Sequence, residues 1–347
     1  VNMDPTIRMR SIYNMLRHSG TIYSMCMSYE LYPDKLLREA IISAGEFLHT
    51  EIKLIKVNDD SLRAVWSRNE INGSGKVENA KLGGTGLGLV ALLSIEKISP
   101  GFTPENYLNA MGGFIRYLQN EDGSFYSRYI PSEGGRRDDW VSLYYPGEAA
   151  LGLVMLYEHT GNIIWLQSAY HALEYLAESR KENTDVPADH WALLATDRLL
   201  SIASDKTSFI TRDVLLDHAV QICETILSEQ KFFPNHPEYN GGFSSEGRTT
   251  PTSTRLEGLQ ASLNFIPDEL SIHEKIEDAV HQGILFVMQA RIQTGKYSGG
   301  IPRSVLGKKY YIHRKKKKFD KRITEIRIDY VQHALSAYIQ YQRLYNM

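Results

Sequence analysis

The sequence predicts an all-α (α/α)6 toroid, a ring of six inner and five to six outer helices with short β-hairpin loops on one rim. Three observations predict it. A short block rich in Gly, Ala and Tyr, opened by polar or charged residues, recurs with openings at 17, 81, 145, 189, 254 and 327, so successive openings lie 64, 64, 44, 65 and 73 residues apart. Each block runs into an apolar stretch of helical length, and the first five are followed by an amphipathic segment. Connections from inner to outer helix are short, as at His159-Thr160-Gly161, whereas four of the five return connections are long.

The inner segments are apolar or small on every side. The stretch 86–93, Gly-Leu-Gly-Leu-Val-Ala-Leu-Leu, and the stretch 149–156, Ala-Ala-Leu-Gly-Leu-Val-Met-Leu, carry no polar face, and helices apolar all round are buried. Each helical Gly costs roughly 1 kcal/mol relative to Ala, so these Gly residues predict close helix approach. The outer helices each carry one apolar face. Residues 34–51 place Leu36, Leu37, Ala40, Ile41, Ala44 and Phe47 at helical spacing. Thr103 is expected to cap a helix entered through Pro104 and reaching Gln119, Asn162 one that reaches Arg180, and Thr211 one that reaches Ser228. Ser271 and Glu274 have the spacing of a capping box for a helix ending near Arg291. The long connections, 52–80, 121–142, 230–251 and 293–325, alternate Gly, Ser and aromatic residues and read as hairpins or extended loops. Long loops on one face of a rigid scaffold carry function.

No Pro/Ser-rich linker interrupts the repeat, so the 347 residues read as one domain, 1–347, either a processed product or a domain excised from a longer protein. Six inner and five outer helices are visible; the sixth outer helix is the segment 5–15, comes from sequence upstream of Val1, or is absent. A hydrophobic content of 42% with 23% charged residues is that of a globular protein with a sizeable core. The net charge of −2 gives no global attraction to nucleic acid or membrane, and no apolar run is long enough for a membrane span. Cys26 and Cys223 lie in apolar helical patterns, form neither a disulfide framework nor a zinc spacing, and weakly favour a reducing, cytoplasmic compartment. No metal or cofactor motif is present. The glycine-rich 83–88 lacks a preceding strand and a Gly-Lys-Ser/Thr ending, so it reads as helix packing. The basic run Arg314–Lys318 reads as a solvated loop tip, with an anionic polymer or a membrane as the alternative contact.

Function is expected where the inner helices begin. The candidates for catalysis are Asp139, Asp189, His190, Glu148 and His333. Asp139 and Asp189 form the preferred pair because they belong to successive repeats, and paired carboxylates serve glycosidic chemistry. His190 and His333 are general-base candidates that suit an epimerase or a lyase. For substrate binding the candidates are Arg17, His18, Lys81, Trp140, Tyr144, Tyr145, Trp191, Arg255, Glu257, Arg327 and Asp329. Cations are unfavourable at helix N-termini, yet Arg17, Lys81, Arg255 and Arg327 are all placed there by this reading. An anionic sugar or oligosaccharide would suit them, and Trp140, Tyr144, Tyr145, Trp191 and Tyr330 can stack on sugar faces. The same residues also serve as ordinary caps, core partners and packing. If Asp189 catalyses, Asp189→Asn leaves folding nearly intact while lowering turnover about 10²–10⁴-fold; if it is only a cap, the same change leaves turnover alone, because Asn caps about as well as Asp.

The stretch Tyr145-Pro146-Gly147-Glu148-Ala149-Ala150-Leu151-Gly152-Leu153, followed by Leu156-Tyr157-Glu158-His159-Thr160-Gly161-Asn162, resembles the helical hairpins of six-hairpin glycosidase-like toroids, which include unsaturated glucuronyl hydrolases and N-acylglucosamine 2-epimerases. The resemblance spans nearly the whole chain and is one of architecture. It implies a carbohydrate-active enzyme working on an acidic or modified sugar as hydrolase, lyase or epimerase. In the glucuronyl hydrolases it implies an Asp acid/base, a part that Asp139 or Asp189 matches. Gly83-Gly84-Thr85-Gly86 is also similar to the inner helices of lanthionine cyclases, whose zinc-binding Cys and His are missing here. Gln119 with Asp122-Gly123-Ser124-Phe125 is similar to the repeat of terpenoid cyclases, whose Asp-rich motif is missing. A non-catalytic toroid that binds a glycan, peptide or protein within a larger polypeptide is the alternative from another class.

Overall fold

Helical periodicity dominates the chain from Met15 onward. The structure, a computed structural model, describes residues 1–3, 7, 13–67, 77–138, 141–202, 207–234, 237–305 and 322–345. The first unit spans Ile12–Ala219. It holds α1 (Met15–Leu31), α2 (Lys35–Thr50), β1 (Ile52–Val57), β2 (Asp60–Ser67), β3 (Asn79–Lys81), α3 (Leu82–Ile98), α4 (Glu105–Tyr117), β4 (Arg128–Ile130), β5 (Gly135–Arg137), α5 (Tyr145–Thr160), α6 (Ile163–Arg180) and α7 (His190–Ser201). Helix α8 (Arg212–Glu229) begins in this unit. The second unit joins Val1–Ser11 to Val220–Met347 and holds the end of α8, then α9 (Thr249–Ser262), α10 (Ser271–Ala290) and α11 (Ile328–Leu344).

Helices α3 and α5 are packed so tightly that side chains are excluded between them. Every residue of α3 from Leu82 to Glu96 is buried. A Cβ on Gly86 would stand 2.8 Å from the backbone N of Ala149 in α5, and one on Gly152 would stand 2.8 Å from the carbonyl oxygen of Gly86. On its other side α5 meets α7 in the same way, since a Cβ on Gly147 would lie 2.6 Å from the Ala192 N. The predicted close approach is therefore a backbone-to-backbone contact. Around it, α2 and α4 are amphipathic; α2 buries only Ile41, Gly45 and Leu48.

The long connections of the first unit form one five-stranded antiparallel sheet in the order β1-β2-β3-β4-β5. It is fastened to α3, because the Val65 N–H of β2 donates to the Thr85 hydroxyl (3.1 Å) and the Leu82 N–H donates to the Ser127 carbonyl (3.1 Å). In the second unit the expected extended loops form isolated bridges among the described residues, Arg248 with Ser304 and Pro302 with Ile326.

A repeated side-chain staple marks the repeat at atomic level. In the first unit the Gln119 amide donates to the carbonyls of Ser168 (3.0 Å) and Gly123 (3.3 Å). In the second, Gln230 donates to Ala279 (3.0 Å) and Gly241 (3.2 Å). Gly123 and Gly241 both have φ of +92°, and a Cβ on either would meet a helix carbonyl oxygen at 2.3 Å.

Several expected helix starts are corrected. Asn162 caps α6 as expected, accepting from the Ile164 N–H, and Asp34, for which no cap was expected, caps α2 by accepting from the Leu37 N–H. Thr103 does not cap α4; its N–H donates to the buried Glu96 carboxylate, and the helix starts at Glu105 and ends at Tyr117. The capping box at Ser271 does not form, because Ser271 is already the first helical residue and Leu270 holds the cap position. The fifth inner helix, α9, starts at Thr249, five residues before the expected opening at 254. Its first turn, Thr-Thr-Pro-Thr, is poor in helix formers, but Pro251 is tolerated there since first-turn N–H groups need no intrahelical acceptor. The segment 5–15 proposed for a sixth outer helix falls largely outside the described residues, as does the basic run Arg314–Lys318. Among the described residues no helix is long and apolar enough to cross a membrane.

The α3–α5 contact predicts opposite outcomes for two glycines two residues apart. Gly86→Ala places its Cβ against α5 backbone and should destabilise by about 2–3 kcal/mol, the range of overpacking changes. Gly84→Ala meets nothing closer than 3.7 Å and should be neutral or stabilise by up to about 1 kcal/mol through helix propensity. Chemical denaturation of the two variants measures both.

Candidate active site

The N-terminal turns of the tightly packed helices of the first unit gather four buried ionisable groups. Glu148, in the first turn of α5, is buried, and its Oε2 has no hydrogen-bond partner among the described residues. Gly83 makes room for that oxygen, since a Cβ there would stand 2.0 Å from it. Burial, and then the charge of Asp189, push the Glu148 carboxyl up to about 8. It is therefore a neutral acid with a proton to give at neutral pH.

Asp189 is wholly buried as the N-cap of α7. Its Oδ1 accepts from the Ala192 N–H (3.2 Å) and its Oδ2 from Arg180 Nη2 (3.1 Å). Arg180 also donates to His218 Nε2 (3.3 Å), so His218 is an acceptor and neutral; burial and then the Arg180 charge push it down to about 3. Asp189 is thus held in a structural Arg180 pair. Neither Arg180, at the end of an outer helix, nor His218 carried a sequence signal for this role. The finding corrects the expectation for Asp189→Asn: the cap survives, but Arg180 loses its buried partner.

His190 packs edge-on to the Tyr144 ring at 5.1 Å and tilted against Trp191 at 5.0 Å. Tyr145 is buried beside Glu148, and burial raises its phenol. Asp139 and Trp140 lie outside the described residues.

Lys81, the N-cap residue of α3, makes no capping bond and is paired across the β3–β4 ladder with Arg128. Like charges directly opposite each other in a ladder destabilise it. Burial and then Arg128 lower the Lys81 ammonium. Arg17 lies in the first turn of α1, its N–H bonded to the Asn14 cap (2.9 Å). His18 Nε2 donates to the Ala44 carbonyl (2.8 Å), which leaves Nδ1 to accept from the Tyr13 hydroxyl. Burial lowers its pKa, and this neutral tautomer ties α1 to α2.

The second unit assembles a different group. His333, on α11, places Nδ1 2.7 Å from Oε2 of the buried Glu257 on α9. Its Nε2 lies 3.5 Å from the Gln332 amide nitrogen. Nδ1–H donates to the carboxylate in this geometry, and the lone pair sits on Nε2. Burial pulls the imidazolium down, but the Glu257 charge and hydrogen bond, with Asp329 adding, outweigh it, so the pKa is raised.

One turn earlier on α11, Asp329 binds Arg327 through both oxygens (2.7 and 2.6 Å). Arg327 also stacks 4.5 Å from the Tyr330 ring, and Tyr330 donates to Glu325 (3.2 Å). The structure thus joins Glu257 with His333 and Arg327 with Asp329. Arg255 is not at a helix N-terminus, because α9 begins at Thr249; it lies in the second turn and pairs with Glu229 of α8 (2.8 Å). The N-cap cation of α9 is Arg248, which sequence reasoning missed because the Thr-rich first turn hides the helix start.

No family model matches the chain, and no curated protein matches its sequence. Solved structures do match its fold. A sugar epimerase from a ruminal bacterium has a TM-score of 0.67 at 11% identity, covering 98% of this chain and 91% of that one. The cellobiose 2-epimerase from Bacillus thermoamylovorans B4167 has a TM-score of 0.65 at 12% identity, covering 98% and 91%. An unsaturated glucuronyl hydrolase specific for heparin has a TM-score of 0.59 at 12% identity, covering 95% and 87%. These neighbours are (α/α)6 toroids, and the chain has that fold class, all-α with a small antiparallel sheet.

Two outcomes follow from the buried acids. Asp189→Asn should destabilise the protein by on the order of 3 kcal/mol, because breaking a buried pair from one side leaves a charge uncompensated; urea unfolding at neutral pH measures it. Glu148 has a folded pKa of about 8 against 4.5 for the free carboxyl. Its penalty is therefore absent below about 4.5, grows as pH rises, and is complete above about 8. Glu148→Gln should leave Tm nearly unchanged at pH 4.5 and raise it at pH 9, as differential scanning fluorimetry across pH would report.

Proposed function

We propose that the chain is a carbohydrate-active enzyme that acts on an acidic or modified sugar, with His333, oriented by Glu257, as its proton-transfer group. The observation that carries this reading is the Glu257–His333 pair. A carboxylate on Nδ1 fixes the tautomer and stabilises the imidazolium that forms when Nε2 takes a proton. A base of this kind suits removal of a proton from a sugar carbon, the chemistry of an epimerase or a lyase. It also suits activation of water in a hydrolase.

The alternative is a non-catalytic toroid that binds a glycan, peptide or protein. It expects the carboxylates at the helix starts to be tied to arginine. Asp189 and Asp329 meet that expectation. Glu257 is paired with His333, and Glu148 is held protonated at neutral pH; both favour the enzyme. The fold neighbours support a sugar as the substrate class; one is a sugar epimerase and another an unsaturated glucuronyl hydrolase.

The test is turnover on a panel of cellobiose, mannose, N-acetylglucosamine and unsaturated glucuronyl disaccharides, run in heavy water. Epimerisation or elimination would place solvent deuterium in product or substrate, and hydrolysis would raise reducing ends. His333→Gln should lower turnover about 10²–10⁴-fold, the span of general acid–base groups, while leaving the circular dichroism spectrum intact. Glu257→Gln should shift the acidic limb of the pH–rate profile to lower pH, since Glu257 raises the His333 pKa. Turnover that survives His333→Gln unchanged would contradict the assignment.

A further inference from the structure

Two carboxylates of the second unit act on His333. Glu257 reaches it from α9 through the 2.7 Å contact with Nδ1. Asp329 reaches it along α11, four residues earlier, so the two side chains are neighbours on one helix face with Cβ atoms ~5–6 Å apart. Both carboxylates are buried. An acid four residues before a base is the favourable order on a helix, and the Asp329 charge adds to that of Glu257 in favouring the imidazolium. From α10, the titratable group set against α11 is His281, on Tyr341, more than two turns beyond His333.

Asp329 gives both oxygens to Arg327, the N-cap residue of α11 (2.7 and 2.6 Å). Arg327 is itself fixed in place. Its guanidinium lies 4.5 Å from the centre of the Tyr330 ring. The Tyr330 hydroxyl in turn donates to Glu325 (3.2 Å) and accepts from Arg303 Nη1 (3.4 Å). A planar guanidinium that meets a carboxylate at both oxygens and stacks on an aromatic ring is held in one orientation.

A general base works best when its pKa lies near the operating pH. An opposite charge within about 4–6 Å can move a titration by about 1–3 units, so two uncompensated carboxylates beside one imidazole would hold its proton too firmly. Arg327 offsets the charge of Asp329 and leaves the Glu257 bond to Nδ1 in place.

We propose that Arg327 is a positioning residue for the proton transfer: by clamping Asp329 it limits the negative charge acting on His333, so that the ring can shed its proton near neutral pH. This inference rests on the reading of His333 as the proton-transfer group and adds the pair that tunes it.

The experiment follows the His333 ring nitrogens by nitrogen-15 chemical shift through a pH titration of the full chain. It compares wild type, Arg327→Gln, Asp329→Asn, the double variant and Arg327→Lys, with circular dichroism to verify folding. Arg327→Gln should raise the His333 pKa by at least about half a unit, because Asp329 is left uncompensated. Asp329→Asn should lower it by at least about half a unit, because the carboxylate goes and the Arg327 charge stays. The double variant should fall between the two, and Arg327→Lys, which keeps the charge, should stay close to wild type. The acidic limb of the pH–rate profile should move with the pKa, to higher pH in Arg327→Gln and to lower pH in Asp329→Asn.

A pair that serves only to start the helix would not move the His333 titration in opposite directions. An unmoved pKa in both single variants, shifts of the same sign, or an Arg327→Lys that behaves like Arg327→Gln would each overturn the proposal. Should Asp329→Asn fail to fold, the contrast between Arg327→Gln and Arg327→Lys carries the test. Opposite pKa shifts with turnover untouched by His333→Gln would refute the catalytic reading and leave the pair standing. An unmoved pKa with turnover lost in His333→Gln would refute the pair alone.

Discussion

The contact of helix backbone with helix backbone between α3 and α5 is the constraint on which the first unit depends. Glycine in a helix costs roughly 1 kcal/mol relative to alanine, and α3 carries four in its first seven residues. Three of them, Gly83, Gly86 and Gly88, stand where a Cβ would come within 3.0 Å of a neighbouring side chain or backbone. Removing those side chains lets dispersion and apolar burial act over the whole length of both helices, which offsets the propensity loss. The same approach has an electrostatic consequence. It seals Glu148 between helices, and a carboxyl sealed away from water keeps its proton. Packing and acidity at this position have one cause.

The second unit reaches a similar end with different residues. Helix α9 buries Thr249, Thr252, Ser253, Thr254, Gly258, Ala261 and Ser262. Its hydroxyls return to the helix's own carbonyls, Thr252 to Arg248 and Ser253 to Thr249, both at 3.0 Å. Small side chains with satisfied polar atoms allow α11 to pack close, which is what brings His333 within 2.7 Å of Glu257. The paired staples at Gln119 and Gln230 secure a long connection in each unit, so variable loops are tied to rigid helices.

The fold class was legible because it rests on local patterns: apolar stretches without a polar face, amphipathic stretches between them, and a repeat. A cap was legible where one side chain decides the matter, as at Asn162. Caps were misread at Thr103, Ser271 and α9, where a tertiary partner or a disfavoured first turn moved the boundary. The site was legible one residue at a time. Glu257 and His333 both stood among the candidates, but 76 positions separate them and nothing local signals that they meet. Asp189 fell to the opposite problem. Its sequence position suggests a catalytic carboxylate or a helix cap, and only packing reveals its pair with Arg180. Arg248 was missed because a Thr-rich helix start masks it.

The claim that Glu257 sets up His333 as a base is tested most directly by the imidazole nitrogens themselves. Nitrogen-15 chemical shifts of His333, followed through a pH titration of the full chain, report both tautomer and pKa. The account predicts a pKa above the ordinary 6.5 and, in the neutral ring, the proton on Nδ1. A pKa below 6.5, or a neutral ring protonated on Nε2, would contradict it.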